Sequence, residues 1–316
     1  MKFNWKDILI CFALSILLPG FLANLILNIK TENTQINTND VLDVHSVKLI
    51  LNDGSTRSLP LNEYLIGVLL AEMPMDFHNE ALKAQAVAAR TVTLYNKEYG
   101  SKHNNGDICE DPACCQAYIS MESYLAAGGT QERINKAASA VALTANQVIT
   151  YDGKLIQALY FSCSGGRTED AVAVWGTDIP YLQAVDSPGE EKATHFTDTV
   201  VFSKTDFCNK LNIDKDKTLL IKNVHYTDGG SVEKICINGK DFTGVAMRAL
   251  LGLRSTAFSV YVIADQVTIS TRGFGHRVGM SQYGADAMAE TGSGYQQILT
   301  HYYTGAEVKE YKPADN

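Results

Sequence analysis

The stretch from residue 63 to residue 95, EYLIGVLLAEMPMDFHNEALKAQAVAARTVTLY, predicts two helices that meet at a proline. The first must end at Met73, because the residue before a proline is disfavoured in the helical conformation. The second, over about 79–97, carries alanine at positions 81, 84, 86, 88 and 89. Small residues on nearly every face indicate close packing, so we expect this helix to be the centre of the fold. Glu72 is left at the break as a cap, a salt-bridge partner or an acid.

The composition excludes one class of partner. The chain has 316 residues, of which 46% are hydrophobic, so a large core is expected. The net charge is −8, and Lys and Arg are scattered along the chain without a basic run. A nucleic-acid-binding function is therefore excluded, whereas a neutral glycan, a peptide or a protein partner remains open.

Residues 8–29 carry no charge and are long enough for a transmembrane helix, which needs roughly 20 apolar residues. Lys2 and Lys6 precede this segment, so residues 1–7 are expected in the cytoplasm and the rest of the chain outside it. No small-x-small cleavage site follows, which favours an uncleaved anchor of a single-pass membrane protein. Residues 30–45 are rich in Thr and Asn and are predicted to be a flexible linker.

Beyond the linker the predicted fold class is α+β, a mixed extracytoplasmic domain with a central Ala-rich helix and several short strands. Asn-Asp-Gly-Ser at 52–55 and Asp-Gly at 152–153 predict hairpin turns. Two short helices are predicted near the C-terminus, at about 281–290 and 294–303.

The predicted domain layout after the linker is simple. Residues 46–310 form one catalytic domain, and residues 311–316 form a C-terminal tail. A polar subdomain or excursion is expected within the domain, at about 186–262, where charged residues and further short strands follow one another.

Glu72 has an unfavourable position for an ionised carboxylate. The C-terminal end of a helix carries partial negative charge, which disfavours the carboxylate form. The neighbouring side chains are apolar: Leu69, Leu70, Met73, Met75 and Phe77. Both effects raise the pKa of Glu72, which is the direction that a general acid near neutral pH needs. The position predicts a catalytic acid, with a surface Glu at a helix end as the alternative.

The segment HNNGDICEDPACC, residues 103–115, groups four soft metal ligands: His103, Cys109, Cys114 and Cys115. One imidazole and three thiolates are a complete ligand set for a tetrahedral structural zinc ion. Disulfide pairing is the alternative in an extracytoplasmic domain, with Cys208 and Cys236 as outside partners. The sequence contains no H-E-x-x-H motif, which counts against a zinc peptidase.

Two glycine-containing motifs supply further candidate residues. FSCSGGRTED, residues 161–170, ends a predicted strand with a turn that exposes backbone N–H groups. GFGHRVGMSQYGA, residues 273–285, has glycines that do not match the dinucleotide fingerprint. Cys163 as nucleophile and His276 as base would define a cysteine hydrolase, and a buried cysteine at a strand end is the alternative.

Three motifs occur together in one known family: residues 63–95, YFSCSGGRTED at 160–170 and GFGHRVGMSQYGADAMAETGSGYQQILTHYY at 273–303. Over about residues 46–310 the chain resembles the amidase-enhancer family of stage II sporulation protein D. The resemblance implies a lytic transglycosylase that cuts the glycan strands of peptidoglycan during engulfment of the forespore. It also implies that Glu72, the Glu of the family's E-M-P motif, is the acid. One carboxylate suffices, because the muramic acid supplies its own 6-hydroxyl as nucleophile.

The resemblance also implies a set of residues around the active site. On the Ala-rich helix it points to Lys83 and Arg90, and a structural salt bridge is the alternative for Arg90. Gln85 lies five residues before Arg90 and faces the same cleft only if the helix is suitably turned. The remaining candidate glycan contacts lie on the two glycine-containing motifs and on one aromatic residue: Ser162, Ser164, Thr168, Glu169, Tyr181, His276, Ser281, Gln282 and Tyr283. Trp175 is a further candidate for stacking on a sugar face.

The chain departs from the family pattern at one position and matches it at one further segment. The family usually has glycine after the histidine, and this chain has Arg277, which would add a cation beside the cleft. The pattern does not require a metal. CQAY, residues 115–118, resembles the segment that follows the Ala-rich helix, so the His/Cys loop is expected near the active site.

The resemblance implies three partners: glycan strands stripped of stem peptides, a cell-wall amidase, and a membrane scaffold protein of the engulfment machinery. A competing hypothesis is a non-catalytic, glycan-binding enhancer of the amidase.

Overall fold

The two helices predicted around Pro74 lie at the centre of the computed structural model, which describes residues 46–312. Helix α1 is Leu61–Glu72 and helix α2 is Asn79–Tyr99, and Met73 between them is extended, with φ −117° and ψ 136°. The ring nitrogen Nδ1 of His78 accepts a hydrogen bond from the backbone N–H of Glu80 and so caps α2. All five alanines of α2 are completely buried. The prediction of a central Ala-rich helix is confirmed.

The other helices of the described residues are short. They are α3 (Met121–Ala126), α4 (Gln131–Leu143), α5 (Ala171–Trp175), α6 (Lys204–Leu211), α7 (Gly244–Leu251), α8 (Gln282–Glu290) and α9 (Tyr295–Tyr302). Helices α8 and α9 are the two predicted near the C-terminus. Helix α2 packs against α1, α4, α8 and α9, so its face of small side chains is covered on several sides.

The strands form small sheets. In chain order they are β1 (Ser46–Ile50), β2 (Thr56–Pro60), β3 (Ile108–Cys109), β4 (Gln147–Tyr151), β5 (Lys154–Leu155), β6 (Tyr160–Phe161), β7 (Thr197–Ser203), β8 (Ile221–Tyr226), β9 (Val232–Ile237), β10 (Lys240–Thr243), β11 (Ala257–Ile263), β12 (Gln266–Arg272), β13 (Met280–Ser281) and β14 (Glu307–Glu310). The sheet orders are β2-β1-β3, β14-β4-β5, β13-β6, β10-β9-β8 and β11-β12-β7. The pairs β1–β3 and β6–β13 are parallel, and the others are antiparallel. The fold is thus a mixed α/β structure with several short strands, as predicted.

Both predicted hairpins are present. Strands β1 and β2 pair across the turn at 52–55, and β4 pairs with β5 across Asp152 and Gly153. Asp152 and Gly153 have φ of 48° and 75°, the left-handed values that a two-residue hairpin turn requires.

The described residues contain two hydrophobic cores. The first is built on α1, α2, α4 and α9. The second is smaller and centres on Phe207, Val232, Met247 and Ile269, which belong to α6, β9, α7 and β12. The polar subdomain at about 186–262 was predicted over much of the same stretch.

The predicted anchor at 8–29 and the linker at 30–45 lie outside the described residues. Between residues 46 and 312, no helix is both long and apolar enough to cross a membrane.

Arg90 holds the end of a neighbouring helix. Its Nη1 donates to the carbonyl oxygens of Thr144 and Gln147, at 2.8 and 3.1 Å, and its Nη2 donates to that of Val141 at 3.2 Å. Val141 and Thr144 lie at the C-terminal end of α4, where carbonyls lack helical partners and a cation is favourable, and Gln147 is the first residue of β4. The side chain is only 2% exposed. Arg90, which the resemblance placed near the active site, therefore has a structural role in holding these carbonyls.

We expect Arg90→Met to lower the free energy of unfolding by about 3 kcal/mol, because buried carbonyls lose a charged donor. Arg90→Lys should restore part of this loss. Arg133→Met on α4 is the matched control, since the Arg133 side chain is exposed and contacts only Asp76 and Tyr124 among the groups that shift its pKa, so its loss should change stability little. Denaturant unfolding measures all three variants. Equal effects at positions 90 and 133 would contradict the structural role.

Candidate active site and metal centre

Glu72 is the last residue of α1, half-buried beside the buried side chains of Met73, Met75 and Phe77. The backbone N–H of Ala117 donates to its Oε1 at 2.7 Å. Burial raises the pKa of Glu72, and the Ala117 N–H and the Gln282 amide act in the opposite direction without cancelling that effect. Glu72 makes no ion pair within the described residues, so it is neither a cap nor a salt-bridge partner there. The arrangement is that of a partly desolvated carboxyl.

A buried network of hydrogen bonds centred on Gln116 adjoins Glu72. The Tyr160 hydroxyl donates to Gln116 Oε1 at 2.9 Å, and Gln116 Nε2 donates to the Tyr64 hydroxyl and to Thr93 Oγ1 at 3.2 and 3.1 Å. Burial raises the pKa of Tyr160, and the Glu72 carboxylate raises it further. The network holds in place the segment that contains Ala117, whose N–H donates to Glu72. The His/Cys loop lies next to this segment, as expected from the CQAY motif. Gln116 and Tyr160 were missed as site residues.

Two glutamines carry amide atoms that no protein group satisfies. Gln85 is completely buried, and within the described residues neither its Nε2 nor its Oε1 has a hydrogen-bond partner. Gln282 is 5% exposed and close enough to Glu72 to lower its pKa, yet its Nε2 makes no well-formed hydrogen bond in the described part of the chain. A buried amide left unpaired costs about 1–3 kcal/mol. These two side chains are the predicted contacts with unused hydrogen-bonding capacity.

Tyr283 and Lys83 also lie near the break between α1 and α2. The ring of Tyr283 contacts the ring of Phe77 edge-on, at a centroid distance of 4.9 Å. Lys83 is partly exposed and pairs with Glu80 at 2.6 Å. Its ammonium is therefore partly neutralised by a neighbour on its own helix.

Glu190 is a buried carboxylate that sequence reasoning missed. Its Oε2 accepts hydrogen bonds from the N–H and Oγ of Ser164 and from the N–H of Gly165, each at 2.8 Å. Its Oε1 accepts from the hydroxyls of Ser187 and Ser281. The hydroxyls of Ser164 and Ser281, both predicted glycan contacts, thus donate to Glu190. No motif marked Glu190, which lies in a polar stretch of surface-like composition.

Arg277 occupies the position where the family has glycine, and its φ of 67° is a value that favours glycine. The expected cleft cation is instead 2% exposed and reaches inward. Its guanidinium donates to the carbonyl oxygens of Ser164, Arg167 and Gly229 and to the hydroxyl of Ser231, at 2.6–2.8 Å. Arg277 therefore joins the 164–167 segment of the first core to the 229–231 turn that leads into β9.

Glu169 and Thr168 serve the same junction. Glu169 is completely buried, accepts from the Thr227 hydroxyl at 2.6 Å and lies 3.9 Å from Arg277 Nη1. The Thr168 hydroxyl oxygen accepts from the N–H of Val185 at 2.7 Å. Their polar groups make hydrogen bonds within the protein, so both side chains have structural partners at this junction. Polar side chains in a glycine-rich segment could not be told apart from ligand-binding ones without knowledge of burial.

The geometry does not support a cysteine hydrolase. The Cys163 thiol is completely buried and directed at the carbonyl oxygen of His195, 3.6 Å away. Burial, and secondarily the Glu190 carboxylate, raises the pKa of Cys163 to about 12, so the thiolate is disfavoured. His276 is elsewhere engaged, with its ring 5.5 Å from the rings of both Phe161 and Trp175.

His276 is held as a neutral imidazole. Its Nδ1 accepts from the N–H of Val278 at 3.1 Å. Burial, with a smaller effect of the Arg248 cation, lowers the pKa of His276 to about 4. The His276 ring packs against the ring of Trp175, whose side chain is 47% exposed and accessible to a ligand.

The last two predicted contacts are half-buried. Tyr181 accepts a hydrogen bond from the N–H of Gln157 at 3.1 Å and stands against the ring of Tyr151. The carbonyl of Ser162 accepts from the N–H of Tyr283 at 3.0 Å. Tyr181 thus has a structural partner, and Ser162 joins the strand β6 to the start of α8.

The four predicted metal ligands come together. One donor atom each from His103, Cys109, Cys114 and Cys115 lies within 4.8 Å of all the others. The Nε2 of His103 is 3.3 Å from the sulfur of Cys115 and 3.7 Å from that of Cys114. With metal–ligand bonds of 2.0–2.3 Å, the edges of a tetrahedral zinc site are roughly 3.3–3.8 Å long. The residues fit the ion. None of the six described cysteines is in a disulfide.

The fold and site define an α+β protein with one desolvated carboxyl at a helix end and a His/Cys cluster beside it. Known proteins share this sequence pattern. A family model described as Stage II sporulation protein matches residues 53–151. Stage II sporulation protein D of Bacillus amyloliquefaciens is 40% identical over 261 residues, which cover 81% of this chain and 76% of that protein. The protein of the same name from Bacillus subtilis (strain 168) has the same identity and coverage.

A more distant relative is the amidase enhancer of Bacillus subtilis (strain 168). It is 29% identical over 306 residues, which cover 78% of this chain and 40% of that protein. The chain belongs to the stage II sporulation protein D family, and its similarity to proteins of that name supports a role in sporulation.

We expect Arg277→Met to lower the free energy of unfolding by about 3–5 kcal/mol, because the buried Glu169 and four acceptors lose their cation. Relief of the positive φ does not compensate, so Arg277→Gly should also be destabilised. Arg272→Met is the control: Arg272 is exposed and stacks on Phe196, so little change is expected. Denaturant unfolding distinguishes them. If Arg277→Gly is as stable as the wild type, Arg277 does not stabilise the junction.

Proposed function

We propose that this protein is a lytic transglycosylase that cleaves peptidoglycan glycan strands during sporulation engulfment, with Glu72 as general acid and base. The observation that carries the proposal is the half-buried carboxyl of Glu72, whose pKa is raised by burial. A raised pKa keeps the carboxyl protonated at a pH at which an exposed Glu is ionised, and the protonated form is the one a general acid needs.

The reaction needs only one carboxylate. Glu72 gives its proton to the glycosidic oxygen between MurNAc and GlcNAc, and the bond from C1 of MurNAc to that oxygen breaks. The 6-hydroxyl oxygen of the same MurNAc forms a bond to C1, and Glu72 takes the hydroxyl proton. The products are a 1,6-anhydroMurNAc end and a free GlcNAc hydroxyl, and no water is consumed. Hydrolytic glycosidases use two carboxyl groups, whereas the pKa of Glu72 reflects burial and two N–H donors and no second acid.

The surroundings of Glu72 suit this cycle. The Ala117 N–H at 2.7 Å stabilises the carboxylate that remains after proton transfer. Gln85, whose amide atoms have no partner among the described residues, and Gln282, whose amide lies beside Glu72, are the proposed hydrogen-bonding partners of the substrate acetamide or hydroxyls. Tyr283, with its ring against Phe77, and the exposed Trp175 are the proposed stacking surfaces for sugar rings.

A second function is favoured by one observation, the similarity to a relative named amidase enhancer. In this alternative the protein binds glycan and activates a cell-wall amidase without cutting. The two functions share the partners proposed from the sequence, an amidase and a membrane scaffold protein. For both functions, the proposed protein is a single-pass membrane protein. It is anchored by residues 8–29, and residues 46–310 lie outside the cytoplasm.

We expect Glu72→Gln to reduce the release of anhydromuramyl products from peptide-free glycan strands at least about 100-fold, because the amide cannot donate the proton. Mass spectrometry of the products distinguishes anhydro ends from hydrolytic ends. Glu63→Gln, on the same helix but partly exposed, is the matched control and should cleave normally.

Glycan binding by Glu72→Gln, measured by strand pelleting, should be retained, since the fold and the other contacts are unchanged. Cleavage by Glu72→Gln at the wild-type rate would remove Glu72 from the reaction. If the wild type releases no products while it stimulates an amidase, the enhancer function holds instead.

We also propose that His103, Cys109, Cys114 and Cys115 hold a structural zinc ion. The support is the mutual approach of their four donor atoms to within 4.8 Å. All four tetrahedral positions would be filled by protein, as in structural sites. Because Ala117 follows Cys115 by two residues, the ion would also fix the backbone that donates to Glu72.

Purified protein is expected to contain about one zinc ion per chain by elemental analysis, and Cys114→Ser to contain much less, because a neutral hydroxyl replaces a thiolate ligand. Cys236→Ser, which changes a cysteine outside the cluster, should keep the metal. Removal of zinc by a chelator should lower the melting temperature of the wild type. Equal metal content in the two variants would rule out the site.

A further inference from the structure

The second core carries a cavity of about 420 Å³ that the proposed function does not use. It lies between the segment that leads into β8 and the turn that joins β9 to β10, and Leu220 and Gly239 form part of its wall. Small-ligand sites have volumes of roughly 300–1,000 Å³, so the cavity is large enough for a small molecule.

The polar groups around this cavity are donors. Lys217 and Lys222 contribute ammonium groups, Thr218 a hydroxyl and Cys236 a thiol. No carboxylate is part of the lining, and Asp241, which hydrogen-bonds the Cys236 thiol, is paired with Lys234 at 2.7 Å. A concavity with two cations and no acid carries a positive potential that favours an anion.

The positive charge is not neutralised by the protein. Lys222 makes no hydrogen bond or ion pair within the part of the chain that the structure describes. Lys217 lies 3.6 Å from Asp214, but the two side chains are 73% and 48% exposed, and an exposed pair at that distance has little effect. Two ammonium groups on one cavity repel each other, and a bound anion would remove that repulsion.

The cavity is built on paired backbone. Asn238 and Leu220 exchange two hydrogen bonds, from Leu220 N to Asn238 Oδ1 at 2.8 Å and from Asn238 N to Leu220 O at 2.9 Å. Lys222 stands opposite Cys236 in the antiparallel pair β8–β9, so both side chains lie on one face. The Nδ2 of Asn238 is buried and has no partner among the described residues, which leaves one more donor unused at the wall. The pocket therefore exists before any ligand enters it.

We propose that this cavity binds a phosphate group carried on a small organic molecule. A phosphate carries close to two negative charges and several acceptor oxygens, which match two ammonium groups and the neighbouring donors. The volume exceeds that of a phosphate alone and leaves space for a carrier of the size of glycerol. The site lies at the surface beside the second core, and Glu72 is not part of its lining.

The test is a calorimetric titration of the full-length protein with inorganic phosphate and with glycerol 3-phosphate at low salt. Lys222→Gln and Lys217→Gln remove one cation each and retain a polar, unbranched side chain. Lys215→Gln is the matched control, because Lys215 lies in the same segment but does not line the cavity. We expect glycerol 3-phosphate to bind the wild type and the control alike, and to bind each cavity variant at least tenfold more weakly.

The two ligands distinguish the source of the phosphate. Tighter binding of glycerol 3-phosphate supports an organic carrier, whereas equal binding supports free phosphate at the same site. A second measurement is the rate at which Cys236 reacts with a maleimide, followed by peptide mass spectrometry. Glycerol 3-phosphate should slow this reaction in the wild type and not in Lys222→Gln. Absence of binding at millimolar concentration, or affinity unchanged in Lys222→Gln, would overturn the proposal.

Discussion

The close packing of α2 is the constraint on which the rest of the structure depends. Its alanines let α1, α4, α8 and α9 approach the same helix, so segments far apart in the chain meet within a short distance. The approach is equally close on the far side of α1, where a Cβ at Gly67 would lie 2.3 Å from the ring of Tyr118. This contact brings the 116–119 segment against α1, and the N–H of Ala117 reaches Glu72 as a consequence. The desolvated carboxyl is therefore a product of helix packing.

Buried charges then connect the segments that packing brings together. Arg90 holds the C-terminal end of α4, Glu190 gathers the donors of two serine-containing turns, and Arg277 joins the first core to the turn before β9. Each buried ion would be costly without partners, and each has several backbone or hydroxyl partners. This use of polar groups explains why Thr168 and Glu169 are structural residues although their motif resembles a ligand-binding turn.

The candidate site was predictable where its signal is local. Glu72 is marked by the proline that ends its helix and by apolar neighbours in sequence, and the His/Cys cluster lies within thirteen residues on one loop. Gln116 and Tyr160 carried no such signal, because their role depends on hydrogen bonds across 44 residues of sequence. The same holds for Glu190, which bonds Ser281 from 91 residues away. The spacing of residues in the sequence does not reveal long-range partners. Polar residues with internal partners and polar residues available to a ligand therefore could not be distinguished from the sequence.

The sequence by itself determined the helices on either side of Pro74, the hairpin turns, the His/Cys cluster and the position of the carboxyl at a helix end. These features depend on backbone preferences and on residues close in the chain. Only the tertiary structure decided which polar side chains stay unsatisfied near Glu72 and which are consumed inside the fold. Burial and hydrogen-bond partners come from distant segments, and a polar group is available to a ligand only when the fold leaves it without one.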